Sequence, residues 1–196
     1  EASASVERYI SPSQAFAEYM SKHLALRPEQ IAIIHNGINL DGYEPRKEAP
    51  ATPALGFLAR MSHLKGLDLL VDAFILLHKH KTIPAETELR IAGTTLPDDQ
   101  GYIDEQTSKL DQAGLQDRYS IRQNITRDEK IQHLRDLTVL SVPTRYPEAF
   151  GLYTIEAMAA GIPMVQPAHG AFPEIIDTTA GGATFSPNTP EALADA

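Results

Sequence analysis

Short apolar runs alternate along this chain with stretches whose apolar residues recur at helical spacing, and this alternation constrains the fold most. Ile31 to Ile34, Ala54 to Ala59, Leu89 to Ala92, Tyr119 to Arg122, Leu137 to Val142 and Ile162 to Val165 read as strands. Helical periods lie between them. Leu67, Leu70, Val71, Phe74 and Leu77 line one helix face, and a second helix runs from about Asp99 to Ala113, closed by Gly114. Thr126-x-x-Glu129 is a capping box opening a third, which carries Ile131 and Leu134. Upstream, Val6 to Ile10 is apolar, Ser11-Pro12 reads as a cap and first-turn pair, and Phe16, Met20 and Leu24 mark one face. Residues 44 to 53, with Pro45, Pro50 and Pro53, read as a connecting loop. Residues beyond Val165 read as loop until Thr189-Pro190 opens a last helix. Such alternation predicts an α/β fold, a doubly wound parallel sheet that binds ligands beyond the carboxyl ends of its strands.

The chemistry concentrates after the run that ends at Val142. Glu148 falls in the loop at a strand's carboxyl end, and Glu156 falls one to two turns into the following helix. Two glutamates at this spacing are common in a chain with 26 acidic residues, and a solvated pair is the plain alternative. The setting argues otherwise, because Leu152, Ile155, Ala157, Met158 and Ala159 surround Glu156 with apolar groups. Helix-start N–H groups lie between the two carboxylates. A polyhydroxylated, phosphorylated ligand suits this place, its hydroxyls donating to carboxylates and its phosphates taking amides and cations.

Composition narrows the partners. A net charge of −9 argues against a broad nucleic-acid surface, so an anionic ligand needs a local cationic site, for which Arg60 and Lys65 are the candidates. No apolar run approaches the roughly 20 residues of a membrane span. The absence of cysteine fits a cytoplasmic location, while membrane association of a longer protein stays open. No metal-ligand pattern occurs among the histidines, and Asp98-Asp99 reads as a helix N-cap rather than a metal pair.

The segment from Glu148 to Val165 resembles the signature of the retaining glycosyltransferases of GT-B fold, family 4 or glycosyl transferase group 1. Further blocks are similar to that family in the same order. They are Ile34-His35-Asn36-Gly37-Ile38-Asn39, the run from Gly56 to Gly66 with Arg60-x4-Lys65, and His169-Gly170-Ala171-Phe172-Pro173-Glu174. The resemblance implies that residues 1–30 are the tail of an N-terminal acceptor domain plus hinge. It makes 31–196 a Rossmann-like donor-binding domain, with its C-terminal helix truncated. It implies transfer of a hexosyl group from a nucleotide diphosphate sugar to an acceptor hydroxyl, without metal or other cofactor. Arg60 and Lys65 would hold the diphosphate, Glu148 the sugar hydroxyls and Glu156 the ribose. Phe150, Gly151 and Leu152 would offer backbone N–H groups, and Gly93 would lie near the phosphates. Glu148, Arg60 and Lys65 are the residues it assigns to catalysis.

Some positions depart from the family pattern. Ala59 stands for a Gly, His63-Leu64 for Pro-Glu, Gly93-Thr94-Thr95 for a Gly-x-Gly-Pro turn, Asn124 for a Gly, and His169 for the first Gly of its loop. They bear on donor identity. Alternatives at this point are a non-catalytic nucleotide-sugar-binding module and a nucleotide-sugar epimerase of the same fold. A dinucleotide-dependent dehydrogenase lacks its G-x-G-x-x-G.

Overall fold

The computed structural model describes residues 6–46 and 48–196. Residues 9–33 form a small unit in which β1 (Tyr9–Ser11) and β2 (Ile31–Ile33) pair in parallel across helix α1 (Gln14–Leu24). The rest is built on β3 (Ala54–Leu58), β4 (Glu88–Gly93), β5 (Tyr119–Gln123), β6 (Val139–Leu140), β7 (Met164–Pro167) and β8 (Gly182–Phe185). All six pair in parallel in the order β5-β4-β3-β6-β7-β8. Helices α2 (Leu67–His80), α3 (Gln100–Gln112), α4 (Arg127–Arg135), α5 (Leu152–Ala159), α6 (Phe172–Thr179) and α7 (Pro190–Asp195) make the crossovers and the covering layers.

This is the doubly wound, Rossmann-like sheet that the alternation predicts. Connections run outward from β3 to β5 on one side, then cross back to β6 and run outward to β8. The direction of winding therefore switches between β3 and β6, where such sheets leave a crevice at the strands' carboxyl ends. The centre is dry because β3 is buried on both faces, as a parallel strand between helix layers must be. Phe57, Leu70, Phe74, Leu89, Ile91 and Phe172 are fully buried, each stabilising the fold by roughly 1.5–3 kcal/mol. No helix among the described residues is long and apolar enough to cross a membrane.

The structure differs from the sequence reading in several places. Ser13, not Ser11, caps α1: its extended backbone lets Oγ accept from Phe16 N at 3.1 Å. The strand at Ile31 to Ile33 pairs only with β1 and is not part of the larger sheet. The expected strand 137–142 keeps ladder geometry only at Val139–Leu140; beyond it, Val142 N donates to the Gln166 side chain at 3.0 Å. The 162–165 strand lies two residues later, at Met164–Pro167. Most of the expected loop after Val165 is α6 and β8. In α6, Phe172, Ile175 and Ile176 bury one short face behind a Pro in the first turn. In β8, an edge strand, only Phe185 is buried, which removes the alternation that marks a strand.

Candidate active site

The chain leaves β3 through Ala59 and Arg60 and reaches α2 by a short 3₁₀ turn, His63–Lys65. Gly93, at the end of β4, has φ +151°, and a Cβ there would stand 1.7 Å from the Ala59 carbonyl oxygen. The adjoining strand ends therefore meet backbone to backbone, and only glycine permits it. Arg60 lies just beyond, donating from Nε and Nη2 to the Asp99 carboxylate, both at 3.0 Å. Asp99 also accepts from Leu96 N at 2.8 Å. The Arg60 hydrogen bond, then that of Leu96, holds the Asp99 carboxyl below its ordinary pKa. The expected N-cap role is thus corrected: Asp99 makes no side-chain cap bond to α3 and serves Arg60 instead.

Lys65 and Glu148 meet directly, Nζ donating to Oε2 at 2.5 Å, with both side chains largely buried. Tyr153 donates its hydroxyl to the same oxygen at 3.1 Å, and Lys65 Nζ stands 4.9 Å from the Tyr146 ring centre. Burial pulls the Lys65 pKa down, but hydrogen bonds to Glu148 and Tyr146 outweigh it and the pKa is raised. The buried Tyr153 phenol is pushed well above its ordinary value, first by burial and then by the Glu148 charge. Arg145 braces this pair. It donates to Asp68 at 2.7 and 2.5 Å and to the His63 carbonyl at 2.7 Å, tying the start of α2 to the Glu148 loop. From the other side, Ala171 N donates to the Glu148 carbonyl at 2.9 Å.

Gly151 opens α5 at φ +82°, where a Cβ would press on Phe172 at 3.2 Å and Glu148 at 3.3 Å. One turn into α5, Glu156 accepts from Lys130 Nζ at 2.5 Å. Tyr43 is close by: burial, then the Glu156 charge, pushes its phenol up to about 12, against the opposing pull of Arg127. Arg60, Gly93, Leu152 and Glu156 line one crevice of about 470 Å³ together with Ala59 and Lys130. Glu148 lies at the far side of Tyr153 and borders a second hollow of about 300 Å³, facing α1. The Phe150 side chain points away, packed with Ala171 and Ile175, so only its backbone is available to a ligand. A third hollow, of about 290 Å³ beneath α2 and α7, is aliphatic apart from Ser141 and carries no titratable group.

Asp99, Lys130, Tyr43 and Tyr153 were not singled out for these contacts by the sequence. Lys130 and Glu156 are 26 positions apart on different helices, and only the strand order brings them together. Among the described residues, no group of three or more His, Asp and Glu is placed to hold a metal ion.

A doubly wound sheet with charged residues ranged along its switch-point crevice defines a Rossmann-like domain of the kind found in GT-B glycosyltransferases. Residues 44–196 match the family described as glycosyl transferases group 1, and the chain belongs to that family. It is 33% identical over 181 residues to the D-inositol 3-phosphate glycosyltransferase of Mycobacteroides abscessus, covering 86% of this chain and 38% of that protein. In structure it is similar to HepE of Anabaena in complex with UDP and glucose: TM-score 0.80, 23% identity, 96% of this chain, 52% of that one. It is also similar to sucrose-phosphate synthase from Thermosynechococcus elongatus: TM-score 0.81, 25% identity, 98% of this chain, 49% of that one. The chain thus spans well under two thirds of the length of these relatives.

Proposed function

We propose that this chain is the donor-binding part of a retaining, metal-independent glycosyltransferase that moves a hexosyl group from a nucleotide diphosphate sugar to an acceptor hydroxyl. The observation that carries the reading is that Arg60 and Glu156 line one crevice and the Lys65–Glu148 pair adjoins it across Tyr153, all beyond the carboxyl ends of β3 and β6. In this reading Glu156 accepts from the ribose hydroxyls, Arg60 and Lys65 take the diphosphate, and Glu148 accepts from the sugar. The α5 start supplies backbone N–H groups at Phe150, Gly151 and Leu152. As transfer proceeds, the bond from the sugar's anomeric carbon to the diphosphate breaks. A bond from that carbon to the acceptor oxygen forms on the same face, and the hydroxyl proton passes to the leaving phosphate. Negative charge grows on that phosphate, so Arg60 and Lys65 favour the transition state over the ground state. Neither glutamate is assigned as a nucleophile, since no carboxylate pair flanks a reacting carbon. That HepE, a protein of the same fold, holds UDP and glucose supports the reading.

Calorimetric titration of the chain with UDP, GDP and ADP tests it. One of these nucleotides should bind, and Arg60→Ala should weaken it about tenfold or more. No binding by any of them, or equal affinity in the variant, would overturn the proposal.

A further inference from the structure

Tyr43 lies on the segment that joins the small β1–β2 unit to the larger sheet, and it has no part in donor binding as proposed above. Helix α4 sets its place. Tyr43 N donates to the Leu40 carbonyl at 2.9 Å, closing a turn through Asp41 and Gly42. Arg127 Nη2 holds that turn by donating to the carbonyls of Asn39 at 3.1 Å and Asp41 at 2.5 Å. Arg135 Nη2 donates to the Gly42 carbonyl at 2.9 Å. Gly42 has φ +82°, and a Cβ there would stand 3.3 Å from Ile131 Cδ1, so the turn lies close against α4. The Tyr43 ring packs against the core, with the Arg127 guanidinium 5.6 Å from its centre.

This packing leaves the Tyr43 hydroxyl out of reach of solvent and, among the described residues, without a hydrogen-bond partner. A buried hydroxyl in that state is costly, and its O–H needs an acceptor. The Glu156 carboxylate is near enough that its charge raises the phenol's pKa, second only to burial, although the two groups do not yet have the geometry of a hydrogen bond. Glu156 is itself largely buried, and Lys130, also on α4, holds its Oε1. One bond leaves a carboxylate able to turn about its last torsion; a second donor fixes its plane. A carboxylate has room for about four donors, so a bond from Tyr43 still leaves places for ribose hydroxyls. A carboxylate ordered before the ligand arrives lowers the cost of binding it.

We propose that Tyr43 is a positioning residue for Glu156: its hydroxyl donates to the carboxylate and holds it ready for the ribose, a role that rests on the donor reading above. Titration calorimetry on the 196-residue chain tests it. The ligands are UDP, GDP and ADP, and the dideoxy form of whichever binds, which lacks both ribose hydroxyls. Tyr43→Phe removes only the hydroxyl and should weaken the nucleotide about fivefold while leaving the dideoxy form unchanged. In a Glu156→Ala background the same change should have no further effect on either ligand. A merely structural tyrosine would weaken both ligands alike. Unchanged nucleotide affinity in Tyr43→Phe, equal losses for the two ligands, or an undiminished loss in the Glu156→Ala background would overturn the proposal and leave the donor reading standing. If the wild-type chain bound none of the nucleotides, or bound the dideoxy form equally well, the donor reading itself would fall, and the role of Tyr43 with it.

Discussion

Replacing Glu148 by Gln should change the affinities for nucleotide and nucleotide sugar in opposite directions, because Glu148 pairs with the cation assigned to the diphosphate. Lys65 Nζ lies 2.5 Å from Glu148 Oε2, so a phosphate oxygen that contacts Lys65 must also lie near this carboxylate. At ~5 Å and an effective dielectric of ~40 to ~80, the repulsion between one carboxylate and one phosphate charge is about 1–2 kcal/mol. Glu148→Gln removes that repulsion and leaves Lys65 uncompensated, so UDP should bind roughly 5- to 30-fold more tightly. A nucleotide sugar gains the same relief but loses charge-assisted bonds from sugar hydroxyls to Glu148, worth about 1.5–3 kcal/mol. The affinity ratio of UDP-glucose to UDP should therefore fall by about 10- to 100-fold. Isothermal titration of wild type and variant with both ligands measures this. Similar weakening of both ligands would show that Glu148 supports the crevice without touching the sugar, and the assignment would be wrong.

Further tests follow from the neighbouring groups. Asp99→Asn should restore part of the nucleotide affinity lost in Arg60→Ala, because Arg60→Ala leaves the Asp99 carboxylate facing the crevice unpaired; titration showing no recovery would refute that pairing. His133 is buried, with Nε2 3.1 Å from the Phe57 carbonyl oxygen, and burial lowers its pKa from 6.5 to about 4. The unfolded chain takes up this proton first as pH falls. Stability held above pH 6.5 should therefore be lost progressively towards pH 4, by about 3 kcal/mol in total. Urea unfolding across that range should show a slope that His133→Gln reduces; an unchanged slope would remove His133 as its source. Gly93→Ala should cost at least about 3 kcal/mol, since its Cβ would collide with backbone and its φ is positive. A urea midpoint close to wild type would contradict the close strand contact.

Legibility in the sequence followed burial and locality. The strand from Ala54 was clear because a parallel strand covered on both faces is apolar throughout, the one at Leu89 stood out through Leu89, Ile91 and Ala92 despite Arg90, and Thr126 with Glu129 forms the capping box its spacing predicts. Helix α6 escaped notice because eight residues hold too few turns for a period to stand out, and β8 because three of its four residues are exposed. At the candidate site, Arg60, Lys65, Glu148 and Glu156 were singled out through resemblance, whereas the residues that pair with them mostly were not. Asp99 and Lys130 lie 39 and 26 positions from the residues they bind, so no local spacing could reveal them. Asp99 also sits where an N-cap belongs, and the nearer role concealed the longer-range one.

Three cations at the candidate site each face a carboxylate of the chain's own: Arg60 with Asp99, Lys65 with Glu148 and Lys130 with Glu156, whereas Arg127, which also lines the crevice, donates to the backbone carbonyls of Asn39 and Asp41. From a distance the crevice therefore presents dipoles and the single positive charge of Arg127, on a chain whose net charge is −9. One such charge against the chain's net negative charge steers an anionic donor little, so the association rate constant should stay near an unassisted ~10⁵–10⁶ M⁻¹ s⁻¹ and change little with salt. Recognition then falls to the step after contact, when phosphates and hydroxyls exchange partners with these ion pairs. Discrimination between donors should consequently reside in how slowly the right one leaves, not in how quickly any of them arrives.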